Sequence, residues 1–129
     1  MDERQLKDRT LQFGLRIMRL VDALPQTSAG RAIGNQLVRS GTSVGANYRA
    51  ACRGRSKAEF IAKLGIVVEE ADECCYWLEL VMKGELLPVE KVQPLYQEAE
   101  ELTAIFVSSV RSAQINQKSA IKNQKSGAL

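Results

Sequence analysis

A chain of 129 residues is the size of a single domain, long enough to bury a core without disulfide or metal staples. Apolar residues make up 45% and charged residues 26%, both near globular averages, which excludes wholesale disorder and fibrous repeats. No run approaches the roughly 20 apolar residues a membrane span needs, and Met1-Asp2-Glu3-Arg4 is too polar for a secretory signal, so a cytoplasmic protein is expected.

Histidine is absent, and the three cysteines, Cys52, Cys74 and Cys75, show no CxxC spacing. A disulfide framework, histidine-bearing zinc sites, Ser-His-Asp and Cys-His nucleophiles and the Glu-x-x-His motif of di-iron bundles are thereby excluded. No cofactor or metal is expected. Cys74 and Cys75 point about 100° apart on a helix and read as reduced thiols, at least one packed as a small apolar side chain.

The net charge of +3 is unevenly spread. Residues 1–57 hold 11 basic and 4 acidic side chains, residues 58–110 hold 3 and 11, and residues 111–129 hold 4 and 0. Such halves can neutralise each other across a helical hairpin or between subunits, or the basic half can present a face to phosphate.

From residue 4 to 24, Leu6, Phe13, Ile17, Leu20 and Leu24 follow a 3-4 alternation with Thr10 in the remaining slot, the pattern of a helix with a narrow seam. Pro25 stops it, and Thr27 or Ser28 can cap a second helix over 28–53 that buries Ile33, Leu37, Val44, Tyr48 and Ala51. The middle of that helix, from Ser40 to Asn47, has poor propensity because each glycine costs about 1 kcal/mol relative to alanine. Either the helix breaks there or its small residues admit another helix closely. The stripe from Ile33 to Ala51 stays in phase, which favours an unbroken rod.

Gly54-Arg55 forms the next turn, and Ser56-Lys57-Ala58-Glu59 has the form of a capping box opening a third helix over 56–84. Phe60, Leu64, Val67, Ala71, Cys74, Leu78 and Val81 repeat at 4-3 spacing, with Ile61, Val68, Cys75 and Met82 beside them. Ile66, Tyr76 and Trp77 fall outside this arc, where a solvated helix normally carries charge, so a partner subunit is expected to cover them. Gly84 can end the helix in the left-handed conformation, and Pro88 suits the start of a fourth over 89–113 with seam Val92, Leu95, Ala99, Leu102, Phe106 and Val110. Pro94 lies near enough to the start to be tolerated. Beyond Ala113 the apolar pattern stops, and Asn116-Gln117-Lys118-Ser119 recurs as Asn123-Gln124-Lys125-Ser126. Residues 114–129 therefore read as a disordered basic tail on a 1–113 domain. Four long helices with short connections define an all-α, antiparallel up-down-up-down four-helix bundle.

Glu69, Glu70, Asp72 and Glu73 form the densest polar cluster, but no second helix offers matching carboxylates for metal or acid-base chemistry, and a non-enzymatic protein is expected. Glu70 lies beside the seam, and a buried carboxylate needs a partner. Asn47, with Arg49 or Arg53, can supply one, giving a structural polar clasp that involves Asn47, Glu70 and Glu73. On a continuous second helix Arg31, Arg39, Arg49 and Arg53 fall within an arc of about 80°, which Arg55 and Lys57 extend past the turn. These six cations are candidates for phosphate contact with RNA or DNA. The competing reading pairs them with acidic residues of the third and fourth helices, within a protomer or between subunits.

The segments Arg39-Ser-Gly-Thr-Ser-Val-Gly-Ala-Asn-Tyr-Arg-Ala-Ala-Cys-Arg53, Arg55-Ser-Lys-Ala-Glu-Phe-Ile-Ala-Lys-Leu64 and Glu69-Glu-Ala-Asp-Glu-Cys-Cys-Tyr-Trp-Leu-Glu-Leu80 resemble the four-helix-bundle family related to proteins encoded in intervening sequences of bacterial 23S ribosomal RNA genes. The likeness covers about residues 8–112. It implies a homo-oligomer, commonly a five-fold ring, and most members have no established activity. A related accessory protein of diversity-generating retroelements, similar in fold, binds nucleic acid and a reverse transcriptase on a basic surface. By this resemblance Ser43 and Asn47 belong to a Ser-x-x-Ala-Asn core, and Glu70 and Glu73 to an acidic third-helix segment. Many members continue after the asparagine as Ile-Ala-Glu-Gly. Here Tyr48-Arg49-Ala50-Ala51 follows, so a network needing that glutamate must be rewired. The resemblance leaves two roles open: a nucleic-acid binder, or an adaptor for a protein such as a reverse transcriptase or ribosome-associated protein, its arginines bridging subunits.

Overall fold

The computed structural model of the chain describes residues 1–127, with side chains as far as Asn123. Four helices follow in order: α1 (Glu3–Asp22), α2 (Ser28–Cys52), α3 (Lys57–Lys83) and α4 (Val89–Gly127). Each packs on the next and α4 returns to α1, closing an antiparallel bundle.

Local chemistry sets the starts. The Asp2 side chain accepts from the Gln5 N–H while Gln5 Oε1 accepts from the Asp2 N–H, a complete capping box. The Thr27 hydroxyl accepts from Gly30 N–H, and Ser56 Oγ accepts from Glu59 N–H. The Glu59 carboxylate reaches back to the Arg55 N–H rather than to Ser56, so the box on α3 closes one residue early.

The predicted seams form the core, with Ile33, Phe60 and Val110 only partly buried against it. Phe13, Ile17, Leu37, Val44, Leu64, Val67, Leu78, Val81, Val92, Leu102 and Phe106 are fully buried, and the Tyr48 and Phe106 rings pack 5.2 Å apart across α2 and α4. Thr10 fills the odd slot of the α1 seam by donating its hydroxyl proton to the Leu6 carbonyl at 2.9 Å, which removes the cost of burying it. Between α2 and α3 the Cys74 thiol donates to Ser40 Oγ at 3.3 Å, and Ser40 Oγ donates to the Gln36 carbonyl at 2.8 Å. A tie that the sequence pattern does not reveal joins α1 to α4: Arg9 grips Glu98 through Nε at 2.8 Å and Nη2 at 2.6 Å.

α2 is unbroken through its glycines. A Cβ built on Gly41 would lie 2.7 Å from Ile17 Cγ1, and one on Gly45 would lie 3.4 Å from the Thr10 carbonyl oxygen. The glycines thus mark where α1 and α2 approach most closely.

Two boundaries differ from the sequence reading. α3 does not end on a left-handed Gly84: Gly84 stays right-handed at φ −79°, and Glu85 takes the positive φ of 56°. The bonds Leu86 N–H to Val81 O and Glu85 N–H to Met82 O form the Schellman pattern, with Glu85 in the place usually held by glycine. Gly84 serves a different need, since a Cβ there would lie 2.7 Å from the Leu80 carbonyl oxygen. On α4 the packed part ends at Ala113, but the helix runs on to Gly127. Residues 114–127, whose composition predicts no order, extend α4, and none of the described side chains from 114 to 123 joins the core. Ala, Gln and Lys there are good helix formers and no Pro intervenes, so loss of the apolar pattern ends the packing and not the helix.

Candidate nucleic-acid interface

The six candidate cations separate into three groups along α2 and its turn. Arg31, at the α1–α2 end, is exposed and folds back so that Nη1 donates to the Gln26 carbonyl at 2.6 Å. Arg39 belongs to α3 as much as to α2: Nη1 donates to Glu70 at 3.1 and 3.3 Å, and Nη2 bonds Glu73. Its charge is spent within the protomer. Arg49, Arg53, Arg55 and Lys57 are exposed and form no ion pair with any described residue.

The clasp expected to include Asn47 is therefore assembled differently. Glu70 and Glu73 do come together, but on Arg39. Asn47 Nδ2 donates instead to the Ser43 carbonyl at 2.9 Å, and Ser43 Oγ donates to the Arg39 carbonyl at 2.6 Å, so both stay within α2. The reason is register. Asn47 stands eight residues, about 12 Å of helix rise, beyond the level at which Arg39 meets Glu70 and Glu73. Arg49 and Arg53 stand further still.

The four unpaired cations share one end of the bundle. Glu3, Cys52, Arg55, Lys57 and Phe60 line one shallow hollow, which brings the start of α1 and the α2–α3 turn together there. Tyr48 against Phe106 sets the level of α4, so its extension leaves the body at this same end, carrying exposed Arg111, Lys118 and Lys122. The last two were assigned to the tail by sequence. The signal that could have placed them was their spacing, because residues four apart fall on the same face of a helix.

Of the residues expected at an oligomer interface, Ile66 is 37% and Tyr76 56% exposed. Trp77 is not part of an open face. It is half-buried against the core, edge-on to Tyr76 at 5.2 Å, with its indole N–H enclosed and without an acceptor among the described residues. Tyr76 opens onto a hollow with Asp72, Glu79, Tyr96 and Glu100 between α3 and α4. Across the bundle, Leu11, Leu15 and Met18 on α1 and Ala46 on α2 line an apolar groove with Lys7 and Arg49 at its rim. The 4-3 spacing of Leu11, Leu15 and Met18 was its sequence signal.

All three cysteines are free, and burial pushes each thiol upward, Cys74 to about 12. Thiols held protonated are poor nucleophiles and poor metal ligands. Among the described residues no cluster of three or more cysteine or carboxylate side chains is placed to hold a metal ion. No described helix is long and apolar enough to cross a membrane.

The chain is an all-α antiparallel four-helix bundle with a glycine-lined α1–α2 contact and an arginine clasp between α2 and α3. The pattern of the 23S rRNA-intervening sequence protein family matches residues 3–108, and the chain belongs to that family. It is similar to the crystal structure of a protein of unknown function from the S23 ribosomal protein family of Bacteroides thetaiotaomicron, with a TM-score of 0.79 and 35% identity, covering 86% of this chain and 99% of that one. No curated protein matches.

Proposed function

We propose that this chain is a non-enzymatic, self-assembling bundle that binds the backbone of RNA or DNA through the cations at its α2–α3 end. The observation that carries the reading is the grouping of Arg49, Arg53, Arg55 and Lys57, exposed at one end without acidic partners among the described residues. Cations left unpaired on a folded surface gain most from phosphate by releasing its condensed counterions. Arg39 drops out of the site because Glu70 and Glu73 engage its guanidinium, and Arg31 because it stands at the opposite end of α2.

The test is a gel shift of structured RNA and duplex DNA at graded salt, comparing the parent with the variant Arg49→Gln, Arg53→Gln, Arg55→Gln, Lys57→Gln. The variant should bind more weakly with a shallower salt dependence, while Arg39→Gln should bind as the parent does. Parent-like binding by the quadruple variant would remove the end site.

Self-assembly, as a five-fold ring by family resemblance, is supported by two unlike faces on opposite sides of one protomer: an apolar groove with a basic rim on α1–α2, and exposed Tyr76 among carboxylates on α3–α4. Unlike faces that fit each other build head-to-tail rings. Light scattering should give a multiple of the 14.3 kDa protomer mass. Replacing Met18 by Glu should lower that mass, and a monomeric parent would refute assembly. An adaptor role through the same surfaces gains less support, since Arg39 bridges helices inside one protomer.

A further inference from the structure

α4 continues for fourteen residues past Ala113, the last buried one among its described side chains, which at 1.5 Å per residue is about 21 Å of helix. An isolated helix of this length is marginal in water, so the extension gains order from whatever it touches. Its chemistry narrows what that is. From Gln114 to Gly127 the sequence has Lys118, Lys122 and Lys125 and no acidic residue, and the remaining positions are dominated by Gln, Asn, Ser and Ala. Arg111, Lys118 and Lys122 are exposed and fall within an arc of about 40° on one side of the helix, opposite the face of Ala113. Ile115 and Ile121, 63% and 46% exposed, are too few to form a packing seam.

We propose that the α4 extension is a basic arm that lies in the major groove of duplex DNA, Arg111, Lys118 and Lys122 contacting the phosphates along its wall. This rests on the nucleic-acid reading above and deepens it, since the arm leaves the bundle at the end where Arg53, Arg55 and Lys57 are exposed. Three features favour a duplex groove. The arm is a single helix, and the major groove of B-form DNA, about 12 Å wide, admits one, whereas that of A-form RNA is deep and narrow. The cations share one face, as contact with a single phosphate wall requires. No aromatic residue follows Phe106, so the arm has no platform on which unpaired bases could stack.

The experiment uses the full chain and a labelled 20-bp mixed-sequence DNA duplex, with anisotropy measured across a salt series. In Arg111→Gln, Lys118→Gln, Lys122→Gln the affinity should fall at least about tenfold, and the slope of log K against log salt should drop by about 2 to 3, near 0.9 for each lost phosphate contact. Glutamine keeps the helix propensity, so the far-UV spectrum and melting temperature of the free variant should match the parent. Helical signal gained by the parent on adding duplex should be absent in the variant. Unchanged affinity and slope in this variant, with weakened binding in Arg53→Gln, Arg55→Gln, Lys57→Gln, would overturn the arm and leave the end site standing. A parent that binds no nucleic acid would overturn both. Equal affinity for an RNA duplex or a single strand of the same length would overturn the groove seat.

Discussion

Gly41 of α2 sits against the Ile17 side chain of α1 with no room for a methyl group: an added Cβ would lie 2.7 and 2.8 Å from the two γ carbons of Ile17. Ile17 is fully buried and β-branched, so it has no spare rotamer into which to retreat. The glycine that weakens α2 as an isolated helix is what allows α1 to close on it.

Two glycine substitutions should therefore act in opposite directions. Gly41→Ala gains about 1 kcal/mol of helix propensity but overpacks the α1–α2 contact by about 1–3 kcal/mol or more, and the net effect should be a loss. Gly65, also inside a helix, has nothing within 4 Å of an added Cβ. Gly65→Ala should stabilise by about 0.5–1 kcal/mol. Urea denaturation of both variants checks the pair, and a stabilised Gly41→Ala would mean that the contact is looser than described.

Glu85 occupies a left-handed position at the end of α3 with φ 56°. Non-glycine residues there bear a steric cost of about 1 kcal/mol that glycine avoids. Glu85→Gly should raise the stability by about that amount, less the wider freedom glycine gives the unfolded chain. Glu85→Val should lower it, because a β-branched side chain tolerates this conformation worst. Thermal melts of the two variants on either side of the parent would bear this out.

The helices, their seams and the unbroken α2 were legible in the sequence because apolar period and capping chemistry are local signals. Pairing partners were less so. Glu70 and Glu73 stand out in the sequence as a polar pair beside the seam, but their partner depends on the axial register of α2 against α3, which places Arg39 opposite them and Asn47 about two turns away. The Arg9–Glu98 pair spans 89 residues of sequence and carries no local mark at all. For α4 beyond Ala113, the absent apolar stripe says only that the segment does not pack, which is a different matter from whether it is helical.

Arg9 and Glu98 tie α1 to α4, neighbours in the bundle that no short turn joins. Two nitrogens of the planar guanidinium, Nε and Nη2, meet the two carboxylate oxygens, and the side chains are 26% and 14% exposed. The Glu98 hydrogen bond, with the charges of Glu98 and Glu101, raises the Arg9 pKa against an opposing effect of burial. Arg9→Gln leaves Glu98 half-enclosed without its fork and should cost about 1–2 kcal/mol, whereas Arg9→Lys should recover only part of it, because an ammonium cannot pair with both oxygens in the same plane. Protection of α1 amides in hydrogen exchange should fall more in Arg9→Gln than protection of α2 or α3, since α1 loses its hold on α4.

Cys74 gives the bundle a dependence on alkaline pH whose sign can be worked out. Burial first, opposed by the hydrogen bond with Ser40, pushes its thiol from 9.0 up to about 12. The folded state therefore keeps the proton over a range in which the unfolded chain releases it. Stability from this group is fully present below about pH 9 and is lost as the pH rises from there through about 12. Burial raises the Tyr48 hydroxyl in the same sense and adds to the loss at the upper end. Denaturation midpoints should be flat from pH 7 to 8.5 and fall steadily above that, and Cys74→Val should flatten the decline between pH 9 and 11. At pH 8 an alkylating reagent should leave Cys74 unmodified for as long as the protein is folded, with Cys52 and Cys75, both half-buried, reacting first. Rapid modification of Cys74 in the native protein, read by peptide mass, would contradict the closed α2–α3 interface that Ser40 and Cys74 define.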